Sequence, residues 1–415
     1  MALLCIAARA ADSPPAIYDA DPEHIWNRVY RALAVRTEAG IQYGIDSSVP
    51  FEEEFDDPAR VAAVLDEFLK SKGESRASGD LRRALFQHDV WAAFDLAARG
   101  GDKNLRYRLA AVIGRLRMRD DAIDGLPDNY ATAVTSGKFS RDFDPEHPNE
   151  AFLPPDLFDM NGPWVEIGES GLGLVAPVHV ESLSGRSAFR VFIRCPGGRK
   201  ATLAYLERLN LHRTPWAQKP AEIGITYPDE RQVRQEPALD PATPQFPAGT
   251  IVALVRQMAV INEDLEPVMT PITQSVQLRA YRKVSADIYR DWRANFGESQ
   301  SVFEFAMHRQ DLLSGKSEGL QLVGPEETEY QLIGRLHGER AIQLRGSVVM
   351  STCQRCHSAN GIFSVNSYTR YFGPETTNPQ LLPADSADNQ GRTTLEWKKQ
   401  QFNWGLLRGL LERER

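Results

Sequence analysis

The chain has 415 residues, 42% of them hydrophobic and 25% charged, which is the make-up of a folded protein with room for two or three domains. Its 48 Lys and Arg face 56 Asp and Glu, for a formal charge of −8, so it lacks the basic field that would hold nucleic acid or anionic lipid. No run of 18 apolar residues occurs, so no membrane-spanning helix is expected.

Residues 1–10 form a short apolar run ending in the small-x-small sequence Ala8-Arg9-Ala10. This reads as a truncated signal peptide without its basic leader and implies a periplasmic or secreted protein. Cleavage after Ala10 would remove Cys5 and leave Cys195, Cys353 and Cys356. An odd cysteine count argues against a disulfide framework and leaves two thiols for other chemistry.

Residues 20–130 read as a helical region. Asp21-Pro22-Glu23 is a helix-start signal, and Ile25, Trp26, Val29, Tyr30 and Leu33 follow at helical spacing. The same period returns in 58–72, in 79–99 (Leu85, Phe86, Val90, Trp91, Phe94) and from Leu105 to Leu116, stripes best explained as core. Residues 131–163 are a connection dense in Pro, Asp and Asn. Alternation then predicts an antiparallel, sandwich-like β domain over 164–285. Phe189, Val191 and Ile193 oppose Arg190, Phe192 and Arg194, while Val276, Leu278 and Ala280 oppose Gln277, Arg279 and Tyr281. Residues 286–340 read as a mixed, mostly helical connection and 341–415 as a small helical segment. The expected fold is therefore α+β and multidomain.

Cys353-Gln354-Arg355-Cys356-His357 is C-x-x-C-H, the attachment pattern of c-type haem. Two thiols three positions apart on a helical turn reach the two vinyl groups on one porphyrin edge, and the following imidazole then swings beneath the ring to bind iron. With 4 Cys and 8 His in the chain, chance produces this pattern in fewer than about one such sequence in a thousand. The competing reading is zinc, with Cys353 and Cys356 as half of a four-ligand site. No second C-x-x-C and no H-x3-5-H accompanies them.

Around this motif the chain resembles the class I cytochrome c family over about 340–415. Ala341–Met350 stands where an incoming helix would lie, and Ser358-Ala359-Asn360-Gly361 resembles the small residues that follow the motif. Ile362, Phe363, Val365, Tyr368, Tyr371 and Phe372 could wall an apolar pocket. Thr393-x-x-Glu396 reads as a capping box opening a helix with Leu395, Phe402, Leu406 and Leu410 on one side. The resemblance implies one covalent haem c on Cys353 and Cys356, with His357 as proximal iron ligand. The rest of the chain resembles only secreted bacterial proteins ending in such a motif, which implies no activity.

In one respect the chain departs from that family. No Met, His or Cys follows His357, so the family's distal Met is missing from its usual place. Met307 and His308 are the nearest upstream candidates, with His337 a third. Met350, seven residues before His357, belongs to the proximal side, and Met258 and Met269 are explained by their strands. Two strong axial ligands favour electron transfer with a redox partner protein or a small-molecule donor or acceptor. His357 alone would leave an open face for peroxidase-like chemistry. The non-redox alternative is a binding protein with a structural zinc or thiol pair.

Two weaker patterns are set aside. Gly171-Leu172-Gly173-Leu174-Val175-Ala176 matches G-x-G-x-x-A, but Pro177–Glu181 reads as strand where a phosphate-cradling helix is required. His179-Val180-Glu181 taken with the two motif cysteines resembles a zinc deaminase, yet Thr352 replaces the expected Pro.

Overall fold

The computed structural model describes residues 16–34, 36–38, 41–43, 55, 57–76, 79–100, 102–169, 173–216, 240–284, 299–315, 319–333, 342–350, 353, 357, 359, 361–369, 377–384 and 389–413. The N-terminal region is helical. It comprises α1 (Ile25–Ala34), a short hairpin β1 (Arg36–Glu38) and β2 (Ile41–Tyr43), α2 (Pro58–Lys70), α3 (Asp80–Gly100), α4 (Lys103–Leu116), α5 (Asp120–Asp124) and α6 (Asn129–Thr135). Carboxylate caps set three of the starts: Asp57, Asp102 and Asp128 accept from the backbone N–H groups of Arg60, Leu105 and Ala131. Asp21 instead accepts from the Glu23 N–H, and α1 begins four residues later.

The expected antiparallel sheet is present, but as a single layer with helices on its faces, not a sandwich, and it is larger than the alternation suggested. It contains β3 (Val165–Glu169), β4 (Ser187–Arg194), β5 (Thr250–Ile261), β6 (Pro267–Tyr281), β7 (Gln300–Met307), β8 (Leu320–Leu322) and β11 (Leu381–Pro383). The spatial order is β11-β3-β4-β5-β6-β7-β8, with antiparallel pairing throughout. A separate hairpin pairs β9 (Thr328–Ile333) with β10 (Ile342–Val348). The protein is thus α+β, built around one seven-stranded antiparallel sheet.

Register divides the sheet's two faces. Phe192, Ala253, Leu278 and Phe303 lie side by side across β4 to β7, and all four belong to the core shared with the N-terminal helices. One residue further along each strand, the row Val191, Leu254, Gln277, Glu304 faces the other way. On that second face lie α7 (Pro177–Ser182) and α8 (Gly198–Leu209). Val191, Ile193 and Val252 pack there with Tyr205, Leu206, Ile362, Phe363 and Tyr368.

Three segments differ from expectation. In the region read as mostly helical, the described residues are chiefly strands: β7 and β8 extend the sheet, and only α9 (Arg309–Ser314) is helical. The expected incoming helix 341–350 is β10 as far as Val348. Ile342, Leu344 and Val348 sit at even spacing, and that strand-like alternation outweighs the motif's helical context. Pro177–Ser182, read as strand, is helix α7 with proline in its first turn, where proline is tolerated.

The C-terminal residues join the main core. β11 lies beside β3. α10 (Asn389–Lys399) packs on β4 and β6, and α11 (Phe402–Arg413) packs on α3 and α4. Thr393, expected at a helix start, lies inside α10, and Phe402 is exposed.

Every residue of α3 from Ala84 to Ala98 is buried, polar ones included, so these need internal partners. Gln87 donates to Leu116 O and Ile261 O and accepts from the Ile261 N–H. Asp89 pairs with Arg309 at 2.6 Å and accepts from Tyr18. Asp95 takes both Arg186 (2.6 Å) and Lys398 (3.0 Å), and all three side chains are almost wholly buried. Asp95 also accepts from Asn403, so one carboxylate fastens the β4 approach and the junction of α10 and α11 to α3. Replacing it would leave two buried cations without their anion. Asp95→Asn is expected to cost about 3–5 kcal/mol, read from urea-unfolding midpoints, whereas the exposed pair Arg119–Asp121 should contribute less than about 1 kcal/mol.

Candidate functional site

The motif residues that the structure describes lie on the second face of the sheet. Val349, Met350, Cys353 and His357 have helical backbone, following directly from β10. Cys356 lies outside the described residues, as do Tyr371, Phe372 and His337. The outward row of β6 holds the motif. Gln277 Nε2 donates to Cys353 Sγ at 3.2 Å and to Glu304 Oε2 at 2.7 Å. Arg279 Nε donates to Gln277 Oε1 at 2.6 Å, and its Nη1 donates to the His357 carbonyl at 3.1 Å. Arg279 Nη2 is buried and, among the described residues, has no partner.

His357 is oriented from behind. Its Nδ1 lies 2.8 Å from Ser364 O. A carbonyl can only accept, so Nδ1 carries the proton and Nε2 keeps a free lone pair, the arrangement found behind metal-binding histidines. Ser364 sits in the turn Gly361–Ser364, and its hydroxyl is bonded to Tyr281 at the end of β6. Gly361 permits this turn: its φ is +57°, and a Cβ there would stand 2.2 Å from Gln245 Oε1, the atom that accepts from the Ile362 N–H.

A second imidazole shares the site. His179, on α7, is parallel to His357, with ring centroids 6.2 Å apart and planes 11° apart. It also packs on Phe189 of β4, 5.0 Å between centroids. Both rings are held neutral. Burial, with Arg279 and Arg256 nearby, pushes His179 down to about 4. Burial, Arg279 and His179 itself keep His357 well below the ordinary histidine range. Neutral imidazole is the form that binds metals.

The upstream ligand candidates lie elsewhere. Met307 is buried on the helical face, in one core with Phe303 and Phe305, and Met258 and Met269 contribute to that same core. His308 is exposed at the start of α9, its Nδ1 2.8 Å from Asp311. Cys195 is a buried member of the apolar cluster beneath α8, as its alternating strand suggests. Among the described residues, no group of three or more His, Cys, Asp and Glu side chains converges on a metal-sized point. None of their helices is long and apolar enough to cross a membrane. No family model, curated protein or solved structure matches the chain.

Sequence reasoning grouped His179 with the motif cysteines only as a deaminase-like pattern and set it aside, and it missed Gln277, Arg279 and Glu304. Alternation placed Gln277 and Arg279 on a polar face, the one available signal, without showing that this face is covered. Desolvation pushes the partly buried Glu304 carboxyl up to about 7, against the pull of Gln277 and Arg279. Its stabilising contribution is therefore complete below its unfolded value of 4.5 and is lost as pH rises through about 7. Glu304→Gln should remove a decline of up to about 3 kcal/mol between those limits, seen by comparing urea midpoints of the two proteins across that pH range.

Proposed function

We propose that this protein binds one haem c covalently and exchanges single electrons with a redox partner protein or a small-molecule donor or acceptor, outside the cytoplasm. The observation that carries this reading is the C-x-x-C-H motif with His357 Nδ1–H spent on Ser364 O, which leaves Nε2 free to bind iron. Cys353 and Cys356 would hold the macrocycle through thioethers and His357 would be the proximal ligand. When bound, the haem supplies an iron that cycles between its ferric and ferrous states.

The protein's own residues would position and balance that group. Arg279 fixes the His357 backbone from the sheet, and Ser364 fixes the ring. Gln277 holds the Cys353 sulfur as an acceptor. Ile362, Phe363 and Tyr368 provide apolar surface beside the motif, which keeps water away. Arg279 Nη2, buried without a partner among the described residues, suits a ligand that brings carboxylates, and haem carries two.

The test is the full chain produced in a host competent for haem attachment. The alkaline pyridine spectrum should show one c-type haem per chain and should lose it in Cys353→Ala. Colourless wild-type protein from that host, or stoichiometric zinc in its place, would overturn the proposal.

A further inference from the structure

Resting on the haem reading above, we propose that His179 is the second axial ligand, so that iron sits between two imidazoles and has no open face. Three observations converge on this residue. Its ring is parallel to that of His357 at 6.2 Å between centroids. Two imidazoles that bind one metal through ring nitrogens at about 2.0 Å each hold their centroids roughly 6 Å apart, which is the spacing found here. His179 is also braced: Phe189 supports its ring, and α7 is seated on β4 with proline at its start.

Among the described residues neither ring nitrogen of His179 has a hydrogen-bond partner, whereas His308 is engaged with Asp311. The described methionines considered as ligands do not compete: Met258, Met269 and Met307 pack in the core on the far side of the sheet. The backbone around α7 is also held. The Val180 N–H donates to Ala176 O, and the Gly185 N–H closes the helix end on Val180 O.

The step is a coordination bond only. A nitrogen lone pair of neutral His179 is donated to iron, no proton leaves, and no electron is transferred in forming it. The consequence is a low-spin centre in both oxidation states, suited to electron transfer and closed to peroxide or carbon monoxide.

The experiment uses the haem-loaded full chain. Ferric wild-type protein should give low-spin absorption and the near-infrared magnetic circular dichroism signature of two nitrogen ligands. Its ferrous form should be unchanged by carbon monoxide. His179→Ala should keep its covalent haem in the pyridine assay, turn high-spin, bind carbon monoxide, and return to low-spin when imidazole is added. High-spin wild-type protein, a methionine-type near-infrared signature, or an unchanged low-spin His179→Ala variant would each overturn the assignment while leaving the haem in place. The near-infrared signature of the wild type decides the matter without any variant if His179→Ala fails to fold. Colourless wild-type protein overturns the haem reading and this inference with it.

Discussion

Strict alternation along β6 is the constraint on which the rest of the molecule depends. Val276, Leu278 and Ala280 point into a core shared with α3, and Gln277, Arg279 and Tyr281 point the opposite way. A register slip of one residue would bury a guanidinium among phenylalanines and withdraw the support for the motif in the same movement. The stability of the sheet and the placement of Cys353 and His357 are therefore set by one pattern, read from its two sides. Strongly apolar neighbours on the helical face, Phe303 and Phe305 among them, make that slip costly.

Helices and central strands could be read from sequence because local periodicity determines them. The stripes at 25–33, 58–72, 79–99 and 105–116 became helices, and the alternation at 189–194 and 276–281 became strands. Errors arose where two local signals conflicted. At 342–348 even-spaced aliphatics prevailed over the helix expected before the motif, and at 177–182 a proline opened a helix where alternation suggested a strand. The C-terminal stretch could be recognised as helical, though as one helix where the structure has two, but its integration into the main core could not. That depends on Trp404 meeting Trp91 and Lys398 meeting Asp95, contacts between residues hundreds of positions apart.

The candidate site shows the same division. C-x-x-C-H stands out because its chemistry is confined to five consecutive residues. His179 lies 178 positions upstream, in a three-residue pattern too weak to be kept on sequence grounds, and it is the fold that brings it beside His357. The polar residues of α3 were equally hidden. Asp89 and Asp95 sit on a helix whose apolar stripe implied a solvated opposite face, yet that face is covered as well and each acid meets a buried cation. Such pairs gain little over a well-packed apolar alternative, but they penalise any arrangement that separates them, and so they favour a single docking geometry for α9, α10 and the approach to β4.

The Asp95–Lys398 contact spans 303 positions, so it has a bearing on the order in which the molecule is assembled. Arg186 can reach the buried acid earlier, but its full set of partners needs nearly the whole polypeptide, and closures over such distances come late. A nascent chain therefore remains loose around the sheet until its last two helices dock.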